Sequence, residues 1–199
     1  MVAVDAARPE AAVLAEAVGV LRAGGLVAFP TETFYGLGAA ALQPAAARRV
    51  YDAKGRPTGK PVLVLVDSVE MAAALAETVS PAASALMARH WPGALTLVLR
   101  AGRRVPAEVT AGTGTVGVRL SSHPVARGLV TALGEPVTAP SANPSGGAPP
   151  VTAAAVLEGL AGRIDLVLDA GPTAGGAPST VVDATVDPPR IVRAGAVRL

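Results

Sequence analysis

Short apolar segments that alternate between helical and extended character run along this chain from end to end. Residues 10–23 have helical periodicity and stop at Gly24-Gly25, and residues 26–29 then predict a short buried strand. This alternation excludes all-helical and all-β architectures and predicts an α/β or α+β domain. Further helices are predicted at residues 44–53, 68–78, 81–89, 124–133 and 152–160, and further strands at 62–66, 95–99, 115–120, 137–139, 166–168, 180–183 and 191–193.

The apolar residues predict one core of small aliphatic side chains. Hydrophobic residues make up 51% of the 199 residues but aromatic residues only 3%, and we expect one compact domain over residues 1–199. Gly, Pro or a charged residue interrupts every apolar run before the roughly 18 residues that span a bilayer. Asp5, Glu10 and Glu16 break the pattern of a secretory signal. We therefore expect a soluble, cytoplasmic protein with no membrane segment.

Several classes of site are disfavoured by composition. The chain has no cysteine, and its two histidines, His90 and His123, lie far apart in sequence, which argues against a tightly held transition metal. The formal net charge is only +2, and no long Lys/Arg run occurs. We therefore expect at most weak binding to nucleic acid.

The stretch KGRPTGKP, residues 54–61, contains both lysines of the chain. It does not match a Walker phosphate loop, because Gly55 is one position too close to Gly59 and Pro61 replaces the metal-binding hydroxyl. If the segment is extended, Lys54 and Arg56 point the same way and suit a polyphosphate or carboxylate. The alternative is a solvated loop after a helix whose C-terminus favours cations.

Two further loops concentrate hydroxyl and amide groups. In the first, residues 30–38, a dinucleotide fingerprint is rejected because the glycines do not directly follow the strand; Thr31, Thr33 and Tyr35 either line a pocket or form an ordinary turn. In the second, PSANPSGG, the i, i+2, i+4 spacing of Ser141, Asn143 and Ser145 would let their side chains face one side of the loop if it is extended. The alternative is a turn stabilised by its own Asn and Ser side chains. A catalytic serine is not supported, since no G-x-S-x-G elbow is present.

Two arginines lie at the ends of predicted apolar strands. Arg119 ends the segment TVGVR, and Arg193 occupies a similar position in RIVR. Because an unpaired buried charge is costly, each side chain must either reach solvent or contact a bound anion.

In their order along the chain, these motifs resemble the YrdC-like family of threonylcarbamoyl-AMP synthases. The resemblance rests on seven segments: PTETFYGLG, KGRP with KPVLVLV, WPGALTLVL, VGVRLSSHPVA, APSANPSG, PSTVVD and RIVRAG. It implies an α/β fold formed by a single YrdC-like domain, with a twisted open mixed sheet, helices packed on it and a concave basic pocket. It also implies the synthesis of L-threonylcarbamoyladenylate and pyrophosphate from L-threonine, bicarbonate or CO2, and ATP. Other proteins, the tRNA threonylcarbamoyl-transferase proteins, then use the adenylate to modify tRNA.

The resemblance also assigns roles to residues. Lys54 and Arg56 are the expected catalytic cations, which screen the carbamate and the phosphates, with Mg²⁺ arriving on ATP. Thr31 and Tyr35 are expected to contact threonine or its adenylate, and Arg119 to hold the amino-acid end. The residues expected around the nucleotide are Ser141, Asn143, Ser179 and Arg193.

The chain departs from the family pattern at three positions, and two other functions stay open. Leu65 replaces a histidine of several members, Ser121 stands where proline is common, and Phe34 stands where valine is common. The additional C-terminal domain of longer members is expected to be absent. The main alternative is a YrdC-fold protein that binds nucleotide or RNA without synthase activity. A carbamoyl-transfer domain of hydrogenase maturation is disfavoured, since its companion modules need cysteines.

Overall fold

A computed structural model describes all 199 residues and contains seven helices and ten strands. The helices are α1 Ala11–Arg22, α2 Pro44–Lys54, α3 Val69–Leu75, α4 Pro81–His90, α5 Ala107–Thr110, α6 Pro124–Leu133 and α7 Ala153–Leu160. The strands are β1 Val2–Ala3, β2 Val27–Pro30, β3 Tyr35–Gly38, β4 Val64–Leu65, β5 Leu95–Arg100, β6 Thr115–Arg119, β7 Val137–Thr138, β8 Leu166–Asp169, β9 Thr180–Asp183 and β10 Arg190–Arg193.

The helix boundaries follow local sequence signals. Pro44 opens α2, and Gly55 ends it in the left-handed conformation with φ of 57°. His123 caps α6, because its Nδ1 accepts a hydrogen bond from the Val125 N–H at 3.2 Å. The end of this helix at Gly134, with φ of 75°, also agrees with the prediction. No helix combines the length and apolar character that crossing a membrane requires.

The strands form two mixed sheets. The smaller has the order β1-β8-β2-β3 and the larger β10-β9-β5-β6-β4-β7, with parallel and antiparallel pairs in both. The predicted α/β class with a mixed sheet is confirmed, but the expected single sheet is divided between β3 and β7. These two edges still contact each other: the Leu37 N–H donates to the Pro140 carbonyl at 2.8 Å, and the Thr138 N–H to Ala39 at 3.0 Å.

A threonine side chain explains the division. The Thr138 hydroxyl accepts a hydrogen bond from the Ala39 N–H at 2.9 Å and donates to the Leu37 carbonyl at 3.0 Å. A side chain therefore stands where a regular ladder would place a backbone hydrogen bond, and only isolated bridges connect the two edges.

Three elements differ from the sequence prediction. Tyr35–Gly38, predicted as loop, is strand β3, which pairs with β2 as a hairpin from Pro30 opposite Tyr35 to Val27 opposite Gly38. The two-residue strand β1 and the one-turn helix α5 were not predicted, because neither is long enough to show periodicity.

The two faces of the larger sheet have different surroundings. Leu95, Leu97 and Leu99 of β5 point into a core that also contains Val116 and Val118 of β6. Residues from α3 and α4, including Ala72, Leu75, Ala83 and Met87, belong to the same core. Since side chains alternate along a strand, the residues between these leucines and valines face the opposite side, away from this core. That opposite face is the floor of a cavity.

Candidate functional site

The cavity has a volume of about 440 Å³ and opens to solvent on the second face of the larger sheet. This volume is typical of small-molecule sites. Its floor comes from alternate residues of three neighbouring strands: Thr96 and Val98 of β5, Thr115, Gly117 and Arg119 of β6, and Val181 of β9. The register places Val98 beside Gly117 and Thr96 beside Val181, so these residues form one continuous surface.

Turns and loops form the walls of the cavity. The hairpin turn between β2 and β3 contributes Thr31, Thr33 and Phe34. The segment that follows KGRPTGKP contributes Val62 and Leu63. Further wall residues are Ala139, Pro140, Ser141, Pro149, Pro178 and Ser179. The three loops singled out in the sequence therefore converge on one site, although they are far apart along the chain.

The charge on the cavity lining is entirely positive. Arg56, Arg119 and Arg193 are among the 23 lining residues, and no aspartate or glutamate is. No cluster of metal-ligating side chains occurs in the chain. Three guanidinium groups facing one cavity favour an anionic ligand with several oxygen acceptors.

Arg56 is held beside the cavity by its own loop. Its Nε donates to the Lys60 carbonyl at 3.2 Å and its Nη2 to the Pro61 carbonyl at 2.8 Å. Burial lowers the pKa of this guanidinium from its usual value, but an arginine keeps its proton at neutral pH. The remaining N–H groups, including both on Nη1, have no acceptor within the chain and can bind a ligand.

Lys54 occupies a different environment and does not line the cavity. Its Nζ donates hydrogen bonds of 2.5 Å to the carbonyl oxygens of both Ser141 and Asn143, and the residue is only 3% exposed. Helix α2 includes Lys54, and Gly55 then reverses the chain. The predicted parallel orientation of Lys54 and Arg56 on an extended segment is therefore wrong. Burial, and then the charge of Arg56, lower the pKa of the Lys54 ammonium to about 8.

The SAN segment is a turn rather than an extended loop. The Asn143 N–H donates to the Ser141 carbonyl at 3.0 Å, and the Asn143 Nδ2 donates to the carbonyls of Pro144 and Gly147 at 2.7 and 2.8 Å. Ser141 lines the cavity, whereas Asn143 does not. The prediction that these side chains face one side is thus wrong, and the alternative, a turn stabilised by its own Asn and Ser side chains, is confirmed for Asn143 only. The Asn143 Oδ1 is buried without a partner.

Arg119 lies on the floor and is 4% exposed. Its Nη2 is 2.7 Å from Glu32 Oε1, and its Nη1 and Nη2 contact the Thr33 hydroxyl at 3.4 and 3.3 Å. Its Nε is buried and has no hydrogen-bond acceptor. The prediction that this side chain must reach solvent or a bound anion overlooked a third possibility, because the guanidinium is enclosed and Glu32 of the chain itself neutralises its charge.

Arg193 approaches the floor from the edge strand β10. Its Nη2 donates to the Ser179 carbonyl at 2.7 Å and to the Ser179 hydroxyl at 3.1 Å. That hydroxyl also lies 2.9 Å from the Thr96 hydroxyl. Burial, followed by the repulsion of Arg119, lowers the pKa of Arg193. The two arginines are therefore close enough to interact, which favours a shared anion.

Comparison with known proteins is consistent with this arrangement. The family model named Sua5/YciO/YrdC, described as telomere recombination, matches residues 19–195. The chain belongs to the Sua5/YciO/YrdC family.

Two curated relatives are called threonylcarbamoyl-AMP synthase. The protein of Pyrococcus abyssi (strain GE5 / Orsay) is 44% identical over 183 residues, and that of Bacillus subtilis (strain 168) is 42% identical over 185 residues. Each match covers 92% of this chain but 54% of the relative. The chain thus spans about half the length of these curated relatives.

Solved structures of the family have the same fold. The crystal structure of P. abyssi Sua5 complexed with L-threonine matches with a TM-score of 0.94 at 42% identity, over 98% of this chain and 58% of that one. The crystal structure of E. coli YciO matches with a TM-score of 0.90 at 27% identity, over 98% of this chain and 95% of that one.

The residues assigned by resemblance to the family do not all reach the cavity through their side-chain functional groups. Thr31 lines the cavity, and its hydroxyl also accepts hydrogen bonds from the N–H groups of Thr33 and Phe34, which shape the hairpin turn. Tyr35 lines the cavity, but its hydroxyl donates to the Gly171 carbonyl at 2.7 Å. Burial raises the pKa of this phenol to about 12. The Tyr35 hydroxyl is therefore occupied within the protein.

The departures from the family pattern lie at or beside this site, and one of them, Phe34, lines the cavity. Leu65 also lines the cavity, so the site has an apolar side chain where several members have a histidine. Ser121 is buried, and its hydroxyl donates a hydrogen bond to Glu32 Oε2. None of these departures introduces an acid into the cavity.

Sequence reasoning missed Glu32 and Thr96. Glu32 lies between Thr31 and Thr33, both of which attracted attention, yet its carboxylate was not considered as the partner of Arg119. Asking which acid neutralises an arginine in an apolar strand would have raised this possibility. Thr96 is the polar residue of LTLVL that alternation assigns to the face opposite the leucines.

Proposed function

We propose that this chain synthesises L-threonylcarbamoyladenylate and pyrophosphate from L-threonine, bicarbonate or CO2, and ATP. The observation that carries the proposal is the convergence of Arg56, Arg119 and Arg193 on a cavity without acidic lining. The activity named for the curated relatives supports the reaction, and the L-threonine complex of P. abyssi Sua5 supports the amino acid. As a nucleotidyltransferase, the protein would supply the adenylate to transfer proteins that modify tRNA.

The reaction brings anions together, which explains the need for fixed cations. The neutral amine of threonine adds to CO2 and releases a proton to solvent, forming a carbamate. A carbamate oxygen then bonds to the α-phosphorus of ATP, while the bond from that phosphorus to the bridging oxygen breaks and pyrophosphate leaves. Negative charge gathers on the leaving group, and preorganised donors stabilise it at no cost of reorganisation.

The geometry suggests a division of labour among the arginines. The N–H groups of Arg56 that have no acceptor in the chain would bind phosphate oxygens beside the KGRPTGKP loop. Arg193, which contacts Ser179, would also bind phosphate oxygens. Arg119, on the floor, would bind the carboxylate of threonine, since it lines the cavity and its hydrogen-bonding capacity is not filled by the chain. Ser141 adds a hydroxyl to the wall. No side chain is needed as a general base, because positioning and charge neutralisation account for the chemistry.

The residues of the cavity suit the phosphates rather than a resident metal. Mg²⁺ prefers carboxylate, phosphate and water oxygens, and no carboxylate lines the site. We propose that Mg²⁺ enters on the phosphates of ATP, where it would neutralise part of their charge. The residues of this chain then bind and orient the nucleotide.

Lys54 has a supporting role in this proposal. Its ammonium ties together the carbonyls of Ser141 and Asn143 and so places the Ser141 hydroxyl at the wall. Further, the Ser145 N–H donates to the Lys54 carbonyl at 2.7 Å. Lys54, which the resemblance assigns to screening the phosphates, would instead contribute by holding the loop that faces the phosphates.

The test is pyrophosphate release with ATP, Mg²⁺ and bicarbonate, adding each amino acid in turn. We expect release that requires both L-threonine and bicarbonate and that falls by about 100-fold or more in Arg56→Ala, the loss typical of removing one preorganised donor. Arg22→Ala is the matched control, since Arg22 is exposed on α1 and does not line the cavity. ATP binding without release for any amino acid would reject the synthase and favour the alternative, a nucleotide-binding or RNA-binding protein of the same fold.

A further inference from the structure

Glu32 is the only acid paired with Arg119, and it acts from outside the cavity. Its side chain is 19% exposed, and Oε1 lies 2.7 Å from Arg119 Nη2. Glu32 is absent from the cavity lining, whereas Arg119 forms part of the floor. Any influence of Glu32 on a ligand therefore passes through the guanidinium.

Two contacts hold the guanidinium on one side and leave the other side unpartnered. Glu32 pairs with Nη2, and the Thr33 hydroxyl accepts from Nη1 and Nη2 at 3.4 and 3.3 Å. The Nε of Arg119 is buried with no acceptor in the chain. Because a buried donor is costly to leave unsatisfied, this Nε shows that the chain does not fill all the hydrogen-bonding capacity of the guanidinium, and an anionic oxygen such as that of a carboxylate could fill it.

Glu32 is itself held in place from the end of β6. The Ser121 hydroxyl donates to Glu32 Oε2, and the same hydroxyl accepts from the His123 N–H at 3.2 Å. Burial alone would raise the pKa of the Glu32 carboxyl, but the charge of Arg119 and the hydrogen bond from Ser121 outweigh it, so this pKa lies below its usual value. Glu32 is therefore an ionised, doubly anchored partner of Arg119 at neutral pH.

We propose that Glu32 is a positioning residue: it holds the Arg119 guanidinium on the cavity floor, where the guanidinium binds the carboxylate of the amino-acid substrate. The inference rests on the proposed function for the identity of that substrate. Ser121 supports the same arrangement, since its hydroxyl orients the Glu32 carboxylate. The hairpin turn and the end of β6 thus act together on one arginine, although neither Glu32 nor Ser121 contacts the substrate.

The test compares Glu32→Ala with Glu32→Gln in the pyrophosphate-release assay. For Glu32→Ala we expect KM for L-threonine to rise about tenfold, the factor for one lost hydrogen bond to a charged group, with KM for ATP within about twofold of wild type. Glu32→Gln is expected to keep KM for L-threonine within about threefold, because its amide oxygen can accept from Arg119 and its amide can donate to Ser121. Glu16→Ala, at an exposed position of α1, is the control.

A purely structural role would give a different result. In that case Glu32→Ala would lower the thermal midpoint but leave KM for L-threonine unchanged, and this outcome overturns the proposal. If Glu32→Ala does not fold, Ser121→Ala replaces it, with an expected rise of about threefold in KM for L-threonine only. An equal change in both KM values for Ser121→Ala also contradicts the proposal.

Calorimetric titration with L-threonine separates this inference from the proposed function. If wild type releases no pyrophosphate but binds L-threonine about tenfold more tightly than Glu32→Ala does, the synthase fails and the positioning role stands. If both proteins bind L-threonine equally, the positioning role fails whatever the activity. If wild type binds no L-threonine, both are rejected.

Discussion

Replacing Lys54 with methionine tests whether this lysine acts by holding the loop that carries Ser141. Methionine is unbranched and of similar length, so Lys54→Met fills the buried space but removes both hydrogen bonds of 2.5 Å to the Ser141 and Asn143 carbonyls. Lys60→Met is a matched control, because Lys60 is the other lysine of the chain, lies in the same octapeptide and is exposed.

Two opposing effects determine the magnitude. Two hydrogen bonds from a charged donor contribute about 3–6 kcal/mol, although the Ser141 carbonyl keeps the Asn143 N–H at 3.0 Å after the change. Against this, burial and the charge of Arg56 lower the pKa of Lys54 from 10.5 to about 8, which disfavours the folded ammonium by about 3 kcal/mol. We therefore expect the free energy of unfolding at pH 7 to fall by only about 0–3 kcal/mol.

The sign of the pH dependence follows from the same pKa. Because the folded pKa of Lys54 lies below the unfolded value, the unfolded chain binds more protons between pH 8 and 10.5. This lysine therefore makes wild-type stability increase with pH in that window, by at most about 3 kcal/mol, and Lys54→Met lacks the increase. Denaturant unfolding at several pH values measures the difference between the two proteins.

The decisive assay is amide hydrogen exchange over residues 141–147 without ligand. In Lys54→Met we expect the amides of Asn143 and Gly147 to exchange about 10- to 100-fold faster, since local opening no longer breaks the two lysine hydrogen bonds. Lys60→Met should stay within about twofold of wild type. Unchanged exchange in Lys54→Met, together with lost pyrophosphate release, would refute the loop-holding role and restore Lys54 as a cation that acts on substrate.

Two further predictions concern the β2–β3 hairpin. Gly38→Ala would place a Cβ 2.8 Å from the buried Phe29 ring, whereas a Cβ at Gly36 would lie 3.4 Å from the nearest ring atom. In urea unfolding we therefore expect the free energy of unfolding to fall by about 1–3 kcal/mol for Gly38→Ala and by less than about 1 kcal/mol for Gly36→Ala. Equal losses would contradict this packing argument. The pKa of Tyr35 is raised to about 12, so the unfolded chain releases this proton first and stability falls as pH rises from 10 to 12. Tyr35→Phe should show a smaller fall, because only the raised pKa of Tyr51 then contributes, and should lose about 1 kcal/mol at pH 7 with the hydrogen bond to Gly171; a fall equal to that of wild type would reject the assignment.

Much of the fold was predictable because its signals are local. The helix from Pro44 to the left-handed Gly55 and the helix from Pro124 to Gly134 are delimited by residues whose preferences act within one turn. Strand β3 escaped prediction because it is only four residues long and contains two glycines. Its pairing with β2 depends on a partner in the chain rather than on periodicity.

The sequence predicted which residues belong to the candidate site but not the directions in which their side chains point. The motifs that resemble the family correctly indicated which loops meet, and Arg56, Arg119, Ser141, Ser179 and Arg193 all line the cavity. The direction in which each side chain points depends on backbone reversals and on partners elsewhere in the chain. For that reason an ion pair as short as that of Glu32 and Arg119, which are distant in sequence, was missed.

By itself, the sequence determined most of the helices and strands and their order, the family, and a basic site. Tertiary structure alone decided what each cation does. Lys54 lies 87 and 89 residues from the carbonyls that it ties together, and Arg56, two positions later, faces the cavity. The physical reason is that a buried ammonium must find acceptors wherever the fold brings them, and no local pattern records where those acceptors are.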